Sequence, residues 1–462
     1  MAKIDLPQIQ NGIIRTSAVD DTLAPQDTAS FALNVNFDSI GAFEVRKGLT
    51  QVGSTLTSSK AVTGLHNYIN NAGTNYKLLA MVNTTVKAYN GTSWSDVRTG
   101  LTADSRARFT SLVDYTFMVN GNANQACKSY AGAGSFGTTN VADLPAGDYI
   151  ENFRSRIWVA SSATDKLYYT DVVNTDNTIT GGTSFIQISP QDGESITGLK
   201  RNKNALLVFK QNHIYRVYSI NSADPDPKIN RGTYSQESIV EAKDGIYYHH
   251  SSGFYKYTDS VQKEISLPIK DIVSAIPRAY YEKVSGWEDG DHIYWSVGDI
   301  TLDGLSYTNL VVRYTISTEI WTKYSYSTEL RVGGKYDNGT TEISVVGDDA
   351  GDVSQFNEGD GDNGDAIHYD LQTHWLYLTD PKYTLKESTG IGFLHENAEG
   401  ATLSYRVDTD DFNKWTNIGQ IEDSIFQERK MSASFKRIKL RVNGNTTGKP
   451  LNMKGFSFVN IK

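Results

Sequence analysis

The chain has 462 residues, more than one ordinary hydrophobic core serves, so two domains or one large repeat array with an appendage is expected. Its 27 Tyr, 17 Phe, 7 Trp and 39 Gly beside only 10 Pro suit pleated strands and tight turns and leave helix almost no claim. A formal charge of -9 gives no support to a nucleic-acid grip, which relies on cations displacing counterions from phosphate, and one cysteine, Cys127, excludes an intrachain disulfide and fits folding in a reducing compartment. Met1 to Asp21 is mixed and polar, so no signal peptide is expected, and no window approaches the roughly 18 apolar residues of a membrane helix. The Asn-x-Ser/Thr triplets at Asn83, Asn90, Asn338 and Asn445 therefore read as turns.

In chain order, residues 1–55 open with polar, loop-like sequence. Strand-like stretches then follow at Phe31 to Phe37 and Phe43 to Arg46, and one or both are expected to pair with the last repeat and close a ring. Over 56–360 a short strand, a polar turn and a second strand ending in an aromatic residue recur seven times. The first strands begin near Leu78, Phe117, Ile157, Leu206, Ile246, Ile293 and Ile343. Self-similarity at 39 to 50 residues is the sequence sign of propeller blades. Asn-Gly and Asp-Gly pairs, among them Asn90-Gly91, Asp289-Gly290 and Asn338-Gly339, supply the positive φ of two-residue hairpins, so the strands read as antiparallel.

Within the repeats, Gly132-Ala133-Gly134-Ser135-Phe136-Gly137 matches a dinucleotide-binding pattern but leads into Thr138 and Thr139 rather than a helix, so it reads as a loop. His249 and His250 are adjacent on a strand and point to opposite faces, which prevents joint chelation. The run Asp348 to Asp365, with glycines at 351, 359, 361 and 364, reads as a solvated boundary. Its segment Asp360-Gly361-Asp362-Asn363-Gly364-Asp365 starts like a calcium loop but carries Asp365 and Leu371 where such a loop needs Gly and Glu.

After this boundary, residues 366–462 read as a small β-sandwich. Strands are expected at Ile367 to Leu378, Thr402 to Val407 and Phe435 to Val442, with Phe456 and Phe458 in a last one. Leu403, Tyr405 and Val407 alternate with polar residues; Ile438, Leu440 and Val442 form one face and Lys439 and Arg441 the other. His368 and His374 share a face but lie about 20 Å apart along an extended strand, too far to share a metal. The fold expected is all-β: a β-propeller of six to seven blades with an N-terminal arm and a C-terminal β-sandwich. No catalytic, cofactor or metal residues are assigned, because nothing meets the role-and-geometry tests of an active site.

The stretch Asn34-Val35-Asn36-Phe37-Asp38-Ser39-Ile40-Gly41-Ala42-Phe43-Glu44-Val45-Arg46-Lys47-Gly48-Leu49 resembles the N-terminal segment of a phage family: the packaged-DNA stabilisation, or tail hub and nozzle, propeller proteins of short-tailed bacteriophages. Ile196 to Tyr215, Asp244 to Ile269 and Phe435 to Ile461 agree in character; the Arg-Pro-Gly expected of the arm is Arg46-Lys47-Gly48 here. The resemblance implies a virion structural protein, assembled in the host cytoplasm. Several copies, often six, would form a homo-oligomeric ring below portal and adaptor proteins, alongside tail fibre or spike proteins. That ring would extend the DNA channel and pass DNA without sequence-specific binding.

No basic stripe is visible inside the propeller repeats, which suits a conduit. Charge is instead split: nine acids without Lys or Arg from Asp337 to Asp365, and eight cations without an acid from Arg429 to Lys454. An acidic face of Asp348, Asp349, Asp352, Asp360, Asp362 and Asp365 is therefore expected to meet a neighbour's basic face of Arg429, Lys430, Lys436, Arg437, Lys439 and Arg441, a head-to-tail contact that closes into rings. The alternatives are a receptor- or carbohydrate-binding propeller, with aromatics between Tyr405 and Trp415 as stacking platforms, and a propeller glycosidase.

Overall fold

In a computed structural model the described residues are 2–5, 28–38, 42–138, 141, 143–189, 192–220, 222–225, 229–258, 261–302, 304–377, 385–397, 400–408, 414–421, 426–448 and 450–461. They form two compact units. One comprises Gln51–Asn309 and Thr328–Phe356; the other comprises Met1–Thr50, Leu310–Ser327 and Asn357–Lys462.

The fold is a β-propeller with a β-sandwich, and the propeller has seven small antiparallel sheets in chain order. The first contains Val62–Ile69, Tyr76–Val82, Thr85–Tyr89 and Trp94–Arg98. The second has three strands, Arg108–Leu112, Tyr115–Val119 and Lys128–Tyr130. Three four-stranded sheets follow, opening at Tyr149–Phe153, Gly198–Arg201 and Val240–Ala242. The sixth opens with Ser285–Asp289 and His292–Leu302, and the seventh with Leu330–Asp337 and Glu342–Asp348.

The repeats expected near Leu78, Phe117, Ile157, Leu206, Ile246, Ile293 and Ile343 are the second strands of these sheets, not the first. Second strands have a sheet on either side and read as continuous apolar runs; Leu206–Phe209 and the last five residues of Tyr76–Val82 are buried throughout. Each is preceded by an innermost strand that is only half buried, as in Arg108–Leu112, and so escapes a hydrophobicity pattern.

Neighbouring innermost strands pack side by side, with Leu330–Asp337 against Val62–Ile69 completing the circuit. Between the fourth and fifth blades the Gln236 side chain does this work: Leu199 N–H donates to its Oε1 at 2.6 Å and its Nε2 donates to Leu199 O at 2.9 Å. The approach is close enough to demand glycine. A Cβ on Gly64 would lie 2.4 Å from Ala107 O, and one on Gly333 would lie 2.5 Å from Trp287 Cβ.

The arm behaves differently from expectation. The fourth strand of the seventh blade is Leu49–Gln51, after which Val52 N–H donates to Val353 O at 2.7 Å and Leu56 N–H to Gly351 O at 2.9 Å. The stretches Phe31 to Phe37 and Phe43 to Arg46 do not join that blade. Ala29–Leu33 pairs with Ile367–Thr373, while Phe43–Val45 pairs with both Val35–Asn36 and Asn452–Met453.

These strands belong to the sandwich. One sheet runs Ala29–Leu33, Ile367–Thr373, Ile438–Thr446, Thr402–Val407, Thr416–Gln420; the other runs Val35–Asn36, Phe43–Val45, Asn452–Ile461, Lys386–Glu396, Phe426–Phe435, with Ala2–Asp5 also on Asn452–Ile461. Their inner faces share one core in which Val35 and Phe43 from the arm meet Leu403, Tyr405, Val407, Ile438, Leu440 and Val442. Tyr405 is thus a core residue. The expected strand over Ile367 to Leu378 is observed to Thr373, and Leu378 lies outside the described residues.

The Asp348 to Asp365 stretch contains a boundary, between Phe356 and Asn357, but it is not a solvated one. Val353–Phe356 is a strand in it, and Asp362 is buried against Arg46. Arg46 Nη2 and Nη1 donate to Asp362 Oδ2 and Oδ1 at 2.6 and 2.8 Å, Nε donates to Asn34 Oδ1 at 2.9 Å, and Nη2 also reaches Ser325 O at 3.0 Å. The guanidinium lies 3.9 Å from the Tyr326 ring centroid. Breaking a buried, two-pronged pair strands a charge, so Asp362→Ala is expected to cost about 3–5 kcal/mol. Arg46→Met combined with Asp362→Leu is expected to cost less than the single change, as measured by urea unfolding of the whole protein.

Candidate functional site

Every blade begins at the axis, so the residues just before each innermost strand gather at one end of the central channel. Lys60 precedes Val62, Arg106 precedes Arg108, Glu237 precedes Val240, Lys283 precedes Ser285, and Arg331 opens the seventh blade. Cavities of about 480 and 560 Å³ share Arg106, Glu237 and Lys283 in their walls. A third, of about 250 Å³, continues along the innermost strands past Arg108, Lys200 and Gly333. The cations gathered here are interleaved with Asp104, Glu151, Glu237, Glu282 and Asp349, so they form a mixed charge cluster and not a basic stripe. Residues in different blades are too dispersed in sequence to read as one group, and ring closure brings them together.

At the centre of this site two arginines share one carboxylate. Glu237, in the 3-10 turn Gln236–Ser238, accepts from Arg106 Nη1 and, at 2.8 Å, from Arg108 Nε. Arg108 Nη1 donates to Asp148 O at 2.7 Å and its guanidinium lies 4.6 Å from the Tyr149 ring centroid. Burial pushes the Glu237 carboxyl up, but the two arginine charges and the Arg108 hydrogen bond outweigh it and hold the pKa down to about 2. Its contribution is fully present above pH 4.5 and is lost only as pH falls towards 2, so the cluster keeps its ionic form and a net charge of +1 near neutrality.

Other charges around the cavity differ in how they are engaged. Arg331 pairs with Glu329 at 2.7 Å, and its Nε is buried without a partner. The side chains of Lys60 and Lys283 form no hydrogen bond or ion pair among the described residues. Asp349 Oδ1 accepts the Glu329 N–H at 3.0 Å. Ser285 Oγ, on the wall of the smaller cavity, is buried and unpartnered.

The residues expected to form an acidic face are divided in their roles. Asp348 is buried, and its Oδ1 accepts the N–H groups of Ala350, Gly351 and Asp352 at 3.0, 2.9 and 2.8 Å, closing the turn between two strands. Asp362 is committed to Arg46. These two are not available to a neighbour. Asp352 takes Gln51 Nε2 at 2.7 Å, Asp360 pairs with Lys47 at 3.1 Å, and Asp365 exchanges backbone bonds with Asp362.

Of the basic set, Arg441 is bound to Asp370 by two hydrogen bonds of 3.0 and 2.6 Å. Arg437 and Lys439 lie 4.6 and 5.4 Å from the Trp375 ring centroid, and Arg429 Nη2 donates to Gln420 O at 2.8 Å. Lys430 and Lys436 are exposed.

Residues 131–138, which carry the glycine pattern, form a loop in which Phe136 enters the core. No group of three His, Cys, Asp or Glu comes together as metal ligands among the described residues. The Cys127 thiol is buried and pushed up to about 12, which makes it a poor nucleophile.

His249 and His250 do point apart. His250 bonds Ser252 Oγ at 2.7 Å, whereas His249 is fully buried between Phe254 and Tyr281 with neither ring nitrogen bonded. Burial first, then the His250 charge, lowers His249 to about 3. The unfolded chain takes up a proton near pH 6.5 that folded His249 refuses, so stability is present above that pH and falls below it. Between pH 7 and 5 this one histidine is expected to cost about 2 kcal/mol. Urea unfolding of His249→Phe should show a correspondingly smaller drop over that range.

No family model matches the chain, and no curated protein matches it. Among solved structures, the extracellular domain of a hybrid two-component system from B. thetaiotaomicron aligns with a TM-score of 0.47 and 12% identity over 81% of this chain. The chain spans 47% of that neighbour's length. BBS1N, solved in complex with ARL6DN, aligns with a TM-score of 0.42 and 9% identity, covering 67% of this chain and 97% of that one.

Proposed function

We propose that the protein is a structural component of a bacteriophage tail, a hub or nozzle subunit that assembles as a ring below the portal and adaptor and helps retain packaged DNA. The observation that carries this reading is the part played by the segment that resembles that family. Asn34, Val35, Phe43, Val45 and Arg46 are all buried, and the segment is built into both sheets of the sandwich through its flanking strands. A segment so placed serves as framework, which suits an assembly role in which the fold itself is the functional part. The work is mechanical, and no reaction is assigned.

The charge-pair contact between subunits is narrower than the charge runs suggest. With Asp348 and Asp362 engaged inside the chain, the acidic partners left are Asp349, Asp352, Asp360 and Asp365, and the exposed cations are Lys430 and Lys436. Lys430→Glu with Lys436→Glu is expected to weaken ring assembly in a salt-dependent way, read by sedimentation of the assembled particles.

The direct test is imaging of virions carrying the protein with an electron-dense label. Label in a ring at the head-to-tail junction is the expected result. Label on peripheral fibres, or none on the particle, overturns the proposal.

A further inference from the structure

We propose that the mouth of the central channel, between Arg106, Arg108, Lys283, Lys60 and Arg331, is a binding site for an oxyanion, either free or as the carboxylate or phosphate of a small molecule. Four observations converge on this. The cavities of about 480 and 560 Å³ are of the size that holds a small ligand. The partly buried Arg106–Glu237–Arg108 cluster has two cations for one anion, and Glu237 uses only part of the Arg106 donor fork.

The lysines supply the third observation. Lys60 and Lys283 both line the 480 Å³ cavity, and neither side chain is engaged by a described residue. The fourth is a pair of orphaned donors, Arg331 Nε and Ser285 Oγ, which are buried without partners on residues that line these connected spaces. A buried polar group without a partner costs free energy that a ligand oxygen would recover.

The acids at the site do not cancel this. Glu237 is already shared by two arginines, and Arg331 is balanced by its own partner Glu329, so the unoffset cations are those of the arginine cluster and the two lysines. Asp104, Glu282 and Asp349 also line these cavities but are exposed, and water screens their charges. The site therefore recognises a compact negative group at its arginine wall, with room beside it for the neutral body of a ligand. This inference does not rest on the tail reading, since it concerns the isolated chain.

The experiment is isothermal titration calorimetry of the full chain with inorganic phosphate, glucuronate, glucose 6-phosphate and neutral glucose. Saturable binding of at least one of the three anions, with none of glucose, is expected. Phosphate binding alone identifies a free oxyanion as the ligand; binding of only the two anionic sugars identifies a charged group on a larger body.

Lys283→Ala removes an exposed, unengaged side chain and leaves the fold intact. Arg106→Gln removes one arm of the cluster, and its folding is checked by thermal unfolding. Either change is expected to weaken binding about tenfold, the loss of one charge-assisted hydrogen bond. The proposal is overturned if no anion binds below about 10 mM, which is too weak for a built site. It is also overturned if glucose binds as well as glucuronate, or if Lys283→Ala leaves affinity unchanged and a folded Arg106→Gln does too.

Discussion

The ion pair of Arg46 with Asp362 holds together segments that no local interaction joins. Its guanidinium reaches Asn34 in the arm, Ser325 and Tyr326 in the 310–327 segment, and Asp362 just before the sandwich. Each of its three nitrogens has an acceptor, which is the condition under which a buried charge is tolerated. The surrounding backbone reinforces the same junction: Gly48 N–H donates to Gly359 O and Leu49 N–H to Gly361 O, at 2.9 and 3.0 Å. A Cβ on Gly48 would lie 2.0 Å from Gly361 O, so the two glycine-bearing turns can meet only as they stand. The glycines and aspartates of 359–365 are thus junction residues, although their composition is that of a linker.

That contrast marks what was legible in the sequence. Second strands such as Ile157-Trp158-Val159 declared themselves because burial on both faces forces an apolar run. Ile438–Thr446 did so because burial on one face forces alternation over Ile438, Leu440 and Val442. The innermost strands had neither pattern. Gly198–Arg201 is four residues long, begins with glycine and ends with two cations. The arm's strands were visible as strands but not their partners, because pairing across more than 300 residues leaves no local trace, as between Leu33 and Asp370.

The site was hidden for a related reason. Arg106, Glu237, Lys283 and Arg331 stand in four different blades, each an ordinary charge in a turn or at the start of a strand. What they share is position just ahead of, or at the opening of, an innermost strand. Since those strands were not seen, the position had no landmark. Net charge carries no signal of such a cluster because it averages over the chain, whereas a cavity responds to the few groups on its wall.

The same distinction governs what the channel mouth can do in a chain of net charge -9. The distant acids act through water, and at physiological salt their influence fades within about 8 Å. The arginines act across a narrow, partly buried space where the effective dielectric is lower and each contact is correspondingly stronger. Long-range repulsion therefore slows the approach of an anion, while short-range attraction holds one that has entered. Added salt screens the first more than the second, because Arg108 and Glu237 are largely shielded from solvent. An anion site at the centre of an acidic propeller is thus physically coherent, and its selectivity comes from the wall rather than from the field of the whole molecule.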